Sequence, residues 1–275
     1  MKGFYIQDFM VGGGSPFVLI AGPCVIENEG LAKNVARFLK DLTRDMGITF
    51  IFKASYDKAN RSSVDSFRGP GLRPGLEILA NIKKELDIPI LSDVHRFEEI
   101  EAASKVFDIV QIPAFLCRQT DFIVEVARNA TVVNIKKGQF MSPWDISNIL
   151  NKARSTGNEQ VMLTERGFSF GYNNLVADMR SLPIMRETGY PVVFDATHSV
   201  QLPGGLGCAS GGDREMAIYL ARAAVACGID GLFLEVHPDP DAALCDGPNS
   251  LSLGVLPDLL GMLQEIDRIV KRRDT

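Results

Sequence analysis

The longest loop that the sequence predicts carries a cluster of cationic and hydrogen-bonding side chains. It reads SYDKANRSSVDSFRGPG and follows an apolar run at 49–56. Arginine binds phosphate oxygens through paired N–H groups, and hydroxyl and amide donors complete such a site. The loop therefore predicts a site for a phosphate monoester, with a solvated surface loop as the alternative. The donor side chains are Lys58, Asn60, Arg61, Ser62, Ser63 and Arg68.

Further cations stand where apolar runs end, at Lys53, Lys136 and Arg166. Burying a cation without an anionic partner is costly. Together with the loop, these cations exceed what one phosphate needs, which predicts two anionic substrates or one bisphosphate. The alternative is a set of internal ion pairs. Carboxylates near the ends of other strands would then be the partners: Asp93, Glu165 and Glu235.

A second set of residues has the composition of a metal site. The donors are Cys24, His198, Glu235 and Asp246. One thiolate, one imidazole and two carboxylates suit Zn, Fe, Mn or Co, although no CxxC or HExxH spacing supports them. The alternative is that Cys24 is a small buried hydrophobic residue and His198 a hydrogen-bonded polar one. The sequence does not determine whether Cys245, next to Asp246, faces the site or faces away.

A glycine-rich stretch, LPGGLGCASGGD (202–213), has neither the GxGxxG nor the GxxxxGK[ST] spacing of a nucleotide cradle. We interpret it as a mobile lid over the site. The chain also lacks a GxSxG elbow, so a serine nucleophile on an α/β-hydrolase turn is not indicated.

The elements that must position these groups follow one repeated pattern. Apolar runs without polar alternation predict buried parallel strands, and amphipathic helical stretches generally separate them. The runs are 17–27, 49–56, 88–95, 108–114, 131–138, 160–167, 191–198 and 231–238. This predicts an α/β fold, a (β/α)8 TIM barrel formed by residues 1–275 as a single domain. An open doubly wound sheet is the structural alternative.

The barrel prediction has consequences for both of its ends. FYIQDFMVGGG, near the start, predicts a β-hairpin that closes the bottom of the barrel. At the other end, the carboxyl ends of the strands and the loops after them form the active site of such barrels. The first, seventh and eighth strands become neighbours when the barrel closes, which would bring the four metal donors together.

Composition narrows the class of protein. The chain has 275 residues, 46% of them hydrophobic and 23% charged, which indicates a globular protein with a large core. Its formal net charge of -5 argues against nucleic acid or an anionic membrane as the main partner. The sequence has no apolar run of membrane-spanning length and no signal-peptide core. Five cysteines without close pairing favour reduced thiols and a cytoplasmic location.

Six long blocks carry a resemblance to a known family. They are KANRSS (58–63), QIPAFLCRQTD (111–121), NIKKGQF (134–140), ERGFSFGYNNLVADMR (165–180), FDATHSVQ (194–201) and LEVHPDP…CDGPNSL (234–251). From the N-terminal hairpin to the last helix, the chain resembles 3-deoxy-D-manno-octulosonate 8-phosphate synthase, also named 2-dehydro-3-deoxyphosphooctonate aldolase. The resemblance implies a transferase on a β/α barrel that condenses phosphoenolpyruvate with D-arabinose 5-phosphate and water, releasing phosphate. It also implies a role in lipopolysaccharide biosynthesis and a cytoplasmic homotetramer.

The resemblance also implies roles for individual residues. Phosphoenolpyruvate would be bound by Lys53, Lys58, Gln111, Ala114, Lys136 and Arg166. Arabinose 5-phosphate would be bound by Asn60, Arg61 and Ser62, with Arg118 reaching it from an adjacent subunit. The catalytic set would be Lys58, Lys136, Arg166, His198 and Asp246. AGPC places Cys24 where metal-dependent members have their cysteine, whereas CDGP (245–248) resembles metal-independent members. A divalent metal bound by Cys24, His198, Glu235 and Asp246 is therefore implied.

Two alternatives for function remain at the level of sequence. The first is 3-deoxy-D-arabino-heptulosonate 7-phosphate synthase, which uses erythrose 4-phosphate and carries a KPRTS-type loop where this chain has KANRSS. The second is a non-catalytic phosphosugar-binding barrel, which would bind sugar phosphates and release no phosphate from phosphoenolpyruvate.

Overall fold

The computed structural model describes residues 2–61, 63–204 and 211–271. Within these residues, eight parallel strands form one closed sheet, and each pairs with its neighbours in chain order. The strands are β1 (Val18–Gly22), β2 (Phe50–Lys53), β3 (Ile90–Asp93), β4 (Ile109–Ile112), β5 (Val132–Lys136), β6 (Val161–Glu165), β7 (Val192–Asp195) and β8 (Gly231–His237). Pairing of β1 and of β7 with β8 closes the barrel. The predicted (β/α)8 barrel is confirmed, and the open sheet is excluded.

Each strand is followed by a helix on the outside of the barrel. The helices are α1 (Glu29–Met46), α2 (Leu72–Leu86), α3 (Phe97–Ser104), α4 (Thr120–Asn129), α5 (Ile146–Arg154), α6 (Ser181–Arg186), α7 (Arg214–Ala226) and α8 (Leu256–Lys271). The sequence pattern did not indicate α6, because six residues are too few for helical periodicity to show. The longest helix, α1, begins at Asn28, whose side chain accepts a hydrogen bond from the Leu31 amide. It ends at Gly47, which takes the left-handed conformation (φ 67°).

The strands have two chemically different faces. Most outward side chains are apolar and pack under the helices, as Leu19, Phe52 and Phe194 do. Inward side chains change character along the strand, because residues two apart point the same way. In β2 and β8, for example, inward Ile51 and Phe233 belong to an apolar cluster inside the barrel. The next inward residues toward the carboxyl ends, Lys53 and Glu235, are charged and buried.

The barrel interior therefore consists of two layers. The lower layer is apolar: Val18, Ile20, Ile51, Leu91, Ile109, Val132, Met162, Val193 and Phe233. The upper layer, one inward position further along, is polar and buried: Lys53, Asp93, Gln111, Asn134, Thr164, Asp195 and Glu235. Three amides and hydroxyls of the upper layer form a chain, since Asn134 donates to Gln111 (2.9 Å) and Thr164 donates to Asn134 (2.6 Å).

An antiparallel hairpin of Gly3–Ile6 and Phe9–Gly12 closes the bottom of the barrel. Its Ile6 and Val11 are buried in the same cluster as the lower interior layer. The Lys2 amide also donates to the carbonyl of Gly189 (2.8 Å), near the start of β7. The predicted hairpin that closes the bottom of the barrel is confirmed, and we call it the plug. Among the described residues, no helix has the length and apolarity needed to cross a membrane.

Candidate active site

The candidate site is a cavity of about 410 Å³ at the carboxyl ends of the strands. Most of the predicted substrate-binding and catalytic residues line it: Lys53, Lys58, Asn60, Arg61, Gln111, Ala114, Lys136, Arg166, His198 and Asp246. Ala114 begins a short turn after β4, and Gln111 comes from β4 itself. Ser62 lies outside the described residues. Pro203 and Gly204, at the start of the predicted lid, also line the cavity, whereas 205–210 lie outside the described part of the chain.

Two lysines share one buried carboxylate on the floor of this cavity. Nζ of Lys53 lies 3.1 Å from Glu235 Oε1, and Nζ of Lys58 lies 3.7 Å from the same oxygen. Burial by itself would raise the pKa of Glu235, but His198 and the lysines hold it far below its usual value. For Lys58, burial acts to lower the pKa, yet nearby Cys24 and Glu235 keep it well above its ordinary value. Lys58 is therefore charged at neutral pH.

A second buried carboxylate, Asp195, holds Lys136 and His198 in fixed positions. Its Oδ2 lies 2.6 Å from Lys136 Nζ and 2.7 Å from His198 Nδ1. Although burial opposes ionisation, the charges of His198 and Lys136 hold the pKa of Asp195 far below its usual range. Because Nδ1 is held by Asp195, Nε2 of His198 faces the cavity, as in metal sites whose histidines bind a second carboxylate. Asp195 was not among the predicted site residues, although its spacing to His198 in FDATH is a usable signal.

The charged forms of Lys136 and Arg166 are less well stabilised than the charges of a structural ion pair. Burial lowers the pKa of Lys136 despite its contact with Asp195, and burial also lowers the pKa of Arg166. Nη2 of Arg166 donates to Gln201 (2.9 Å), while its Nη1 is buried without a hydrogen-bond partner in the described residues. The ion-pair alternative thus accounts for Lys53 but not for Arg166. A guanidinium with an unpaired buried donor facing a cavity is suited to bind an anion.

The four predicted metal donors converge beside this cation cluster. Nε2 of His198 lies 3.5 Å from Glu235 Oε1 and 3.7 Å from Asp246 Oδ2, and Cys24 Sγ lies 3.4 Å from the same Asp246 oxygen. In addition, Glu235 Oε2 is buried without a hydrogen-bond partner among the described residues. Burial raises the pKa of the Cys24 thiol well above its usual value, so a metal ion would have to stabilise the thiolate. This donor set, with its unpaired carboxylate oxygen, fits a divalent transition metal.

The loop between β2 and α2 is fastened at its base. The Arg68 guanidinium binds both carboxylate oxygens of Asp57, and the Lys58 amide donates to the Arg68 carbonyl (2.8 Å). The sequence pattern places Arg68 among the phosphate-binding cations of the loop. The structure instead gives it a structural role, because its guanidinium is bound to Asp57. Arg61 reaches the cavity, where its Nη1 lies 2.9 Å from Cys245 Sγ and 3.6 Å from Asp246 Oδ1.

Asp93 and His95 line the cavity as well. The sequence indicates Asp93 only as an ion-pair partner and predicts no role for His95. His95 Nε2 bonds to Asp93 Oδ2 (2.9 Å), and its amide donates to Glu99, which also accepts from Tyr56. Burial opposes the charged imidazole, but the contacts with Asp93 and Glu99 raise the pKa of His95 to about 9. The sequence signal for this network is the polar ending of the apolar run ILSDVH at β3.

Arg118 does not reach the cavity of its own chain. It is exposed and lies in a separate depression of about 180 Å³, lined also by Phe140 and Lys152. Lys152 donates to the Arg118 carbonyl (3.0 Å). This contact anchors the backbone of the loop and does not involve the Arg118 guanidinium. This outward position is compatible with the predicted contribution to a neighbouring subunit.

Comparison with known proteins places the chain in one family. The DAHP synthetase I family matches residues 4–272. The 2-dehydro-3-deoxyphosphooctonate aldolase of Geotalea daltonii is 61% identical over 271 residues, covering 98% of this chain and 100% of that protein. The proteins of the same name from Geobacter sulfurreducens and Francisella tularensis subsp. holarctica are 62% and 58% identical, each over 97% of this chain and over 98% and 97% of their own lengths. The resemblance inferred from the sequence is confirmed: this chain belongs to the DAHP synthetase I family, among the 2-dehydro-3-deoxyphosphooctonate aldolases.

Proposed function

We propose that this chain condenses phosphoenolpyruvate with D-arabinose 5-phosphate and water. The products are 3-deoxy-D-manno-octulosonate 8-phosphate and inorganic phosphate, for lipopolysaccharide synthesis. The observation that carries the proposal is one cavity with two groups of cations. Lys53, Lys58, Lys136 and Arg166 lie on its floor and walls, and Arg61 comes from the loop after β2. Two phosphorylated substrates supply the anions that these groups require.

In the proposed reaction, C3 of phosphoenolpyruvate attacks the aldehyde carbon of the sugar, and water adds at C2. The resulting hemiketal phosphate then loses phosphate by C–O cleavage. Arg166 and the lysines would bind the phosphate and carboxylate of phosphoenolpyruvate, and Arg61 and Asn60 the pentose phosphate. Because Lys53, Lys58 and Lys136 are fixed by buried carboxylates before substrate arrives, they stabilise developing negative charge without reorganisation. The Phe233 ring, 4.2 Å from Lys136 Nζ, forms an apolar floor that keeps water from this ammonium.

The phosphate-release assay tests this function and separates it from its alternatives. With phosphoenolpyruvate present, we expect release with arabinose 5-phosphate and far less with erythrose 4-phosphate. The reverse preference would identify a 3-deoxy-D-arabino-heptulosonate 7-phosphate synthase. Binding of both sugar phosphates with no release would identify a non-catalytic sensor.

We further propose that a divalent metal ion, Zn, Fe, Mn or Co, is bound by Cys24, His198, Glu235 and Asp246. Such an ion would polarise the aldehyde or lower the pKa of a bound water. The support is the convergence of these donors and Glu235 Oε2, which has no hydrogen-bond partner in the described part of the chain. Prolonged chelation should abolish activity, and one of these ions should restore it. Full turnover in a protein shown to be metal-free would contradict the assignment.

We also propose a cytoplasmic homotetramer in which residues 1–275 form one domain and sites are shared between subunits. Large aromatic side chains near Arg118 are exposed: Phe140, which lines the same depression, at 49%, and Phe115, three residues earlier in the chain, at 53%. Exposed apolar patches of this kind mark contact surfaces. Mixing inactive Arg118→Ala and Lys136→Ala proteins and reassembling them should restore some activity. Demonstrated mixed tetramers without activity would place Arg118 in its own chain's site.

A further inference from the structure

Cys245 is a buried thiol whose surroundings differ from those of Cys117 and Cys227. Cys117 packs in the main core, and Cys227 packs against it, so both fill apolar space. Cys245 is 3% exposed and belongs to a separate cluster with Cys24 and Val25. Its sulfur is 2.9 Å from Cys24 Sγ. A thiol outside the main core, in contact with a proposed metal ligand, is not explained by core packing.

The backbone directs two consecutive side chains toward the same site. Asp246 has φ 50°, in the left-handed region that residues other than glycine seldom occupy. In extended chain, neighbours such as Cys245 and Asp246 would point to opposite sides. Here the ligand atoms of Cys24, Cys245 and Asp246 all lie within 4.8 Å of one another. Asp246 also belongs to the group with His198 and Glu235, so it joins both sets of donors.

We propose that Cys245 is an additional thiolate ligand of the metal ion, giving the site two sulfur donors. The inference rests on the proposed metal site and extends it. Two thiolates on one zinc ion, each at about 2.3 Å, lie about 3.3–4.0 Å apart for the S–Zn–S angles of roughly 90–120° that a five-ligand site allows. The two sulfurs would therefore separate by about 0.4–1.1 Å on binding, a movement that rotation about Cα–Cβ supplies.

The guanidinium of Arg61 would compensate the charge of a second thiolate. Arg61 places Nη1 2.9 Å from Cys245 Sγ and 3.6 Å from Asp246 Oδ1. Its Nε is buried without a hydrogen-bond partner in the described residues. Lys53 and Lys58 compensate Glu235 on the opposite side. A site with two sulfurs prefers thiophilic ions, so the ligand class is Zn²⁺, Fe²⁺ or Co²⁺ rather than Mn²⁺.

The sulfur count of the unmodified protein is the direct test. The chain is stripped with chelator, loaded with Zn²⁺ under a phosphine reductant, and studied by zinc X-ray absorption without substrate. Two sulfur neighbours per zinc support the proposal, and one overturns it. If no zinc is retained, the proposed metal site itself fails and this inference falls with it. Because substrate is absent, the count does not depend on the condensation assay.

Variants loaded with Co²⁺ give the second readout, the thiolate-to-cobalt absorption band per bound ion. Cys245→Ser and Cys24→Ser should each lose about half of the band, since each thiolate contributes its own transition. The matched control, Cys227→Ser, should keep all of it. Cys245→Ser should also weaken Zn²⁺ binding by at least about tenfold while changing Mn²⁺ binding less. An unchanged band in a cobalt-loaded Cys245→Ser protein would overturn the second thiolate and leave the four-residue site standing. Cys245→Ala repeats the measurement if the serine variant does not fold.

Discussion

The two ends of the barrel are built from the same strands and have opposite chemistry. At the bottom, the hairpin inserts Ile6 and Val11 into an apolar layer. At the top, buried Lys53 and Glu235 stand on the next inward positions of their strands. Two residues along a strand thus separate a packed core from a charged cavity. The lower layer stabilises the fold, and the upper layer has its charges fixed before any substrate binds.

The largest expected effect of breaking this contrast is at the top. Lys136→Met keeps the apolar stem and removes the ammonium, so we expect kcat/KM to fall about 10²–10³-fold, the cost of losing one fixed charge contact to the transition state. Steady-state phosphate release measures the change. The control is Lys2→Met, which removes an exposed ammonium near the other end of the barrel and should leave activity unchanged. Equal losses in the two variants would show that the top layer has no special role.

The second prediction concerns the plug. Ile6→Ala should lower the free energy of unfolding by about 2–3 kcal/mol, at the low end for core truncations because a terminal hairpin can relax. Denaturant unfolding measures the loss, and kcat/KM should stay within about twofold of the parent. Tyr5→Ala, at an exposed position of the same strand, should cost much less. A fall in kcat/KM well beyond twofold in the folded Ile6→Ala protein would mean that the two layers are coupled.

The third prediction separates the two substrates at the top. Arg61→Ala should raise KM for arabinose 5-phosphate about ten- to a hundredfold, since a charge-assisted contact contributes roughly 1.5–3 kcal/mol. KM for phosphoenolpyruvate should change far less, and Arg61→Lys should recover part of the loss. Equal effects on both substrates would place Arg61 in the metal environment alone.

The fourth prediction is a pH dependence of stability that arises from His95 at the top of the barrel. The pKa of His95 is raised from 6.5 to about 9 in the folded chain, so its contribution is complete below about pH 6.5. It is lost as pH rises through about 9, with a slope of at most about 1.4 kcal/mol per pH unit. Denaturant unfolding across this window should show the decline, and His95→Gln should flatten it. If both proteins decline alike, the imidazolium is not paired as described.

The barrel and its closing hairpin were predictable because uninterrupted apolar runs mark buried parallel strands. The same reasoning placed Lys53, Lys136 and Arg166 at one end. It did not reveal that Arg68 is bound to Asp57, since a bidentate pair eleven residues apart depends on how the loop folds back. Nor did it settle the direction of Cys245, which depends on the left-handed backbone at Asp246. Local patterns predict strands and strand ends, whereas loop geometry depends on contacts that the pattern does not contain.

The pairing of β1 with β8 also determines when the site can exist. Val18 pairs with Gly231, roughly 200 residues later in the chain. During synthesis β1 therefore cannot pair with β8 until the last strand has been made. Until then there is no completed barrel for the hairpin to close. Cys24 likewise meets Asp246 only at this final step. Contacts so distant in sequence are costly in loop entropy and slow to form. Catalytic competence should therefore appear late in refolding, after the helices have formed and together with barrel closure.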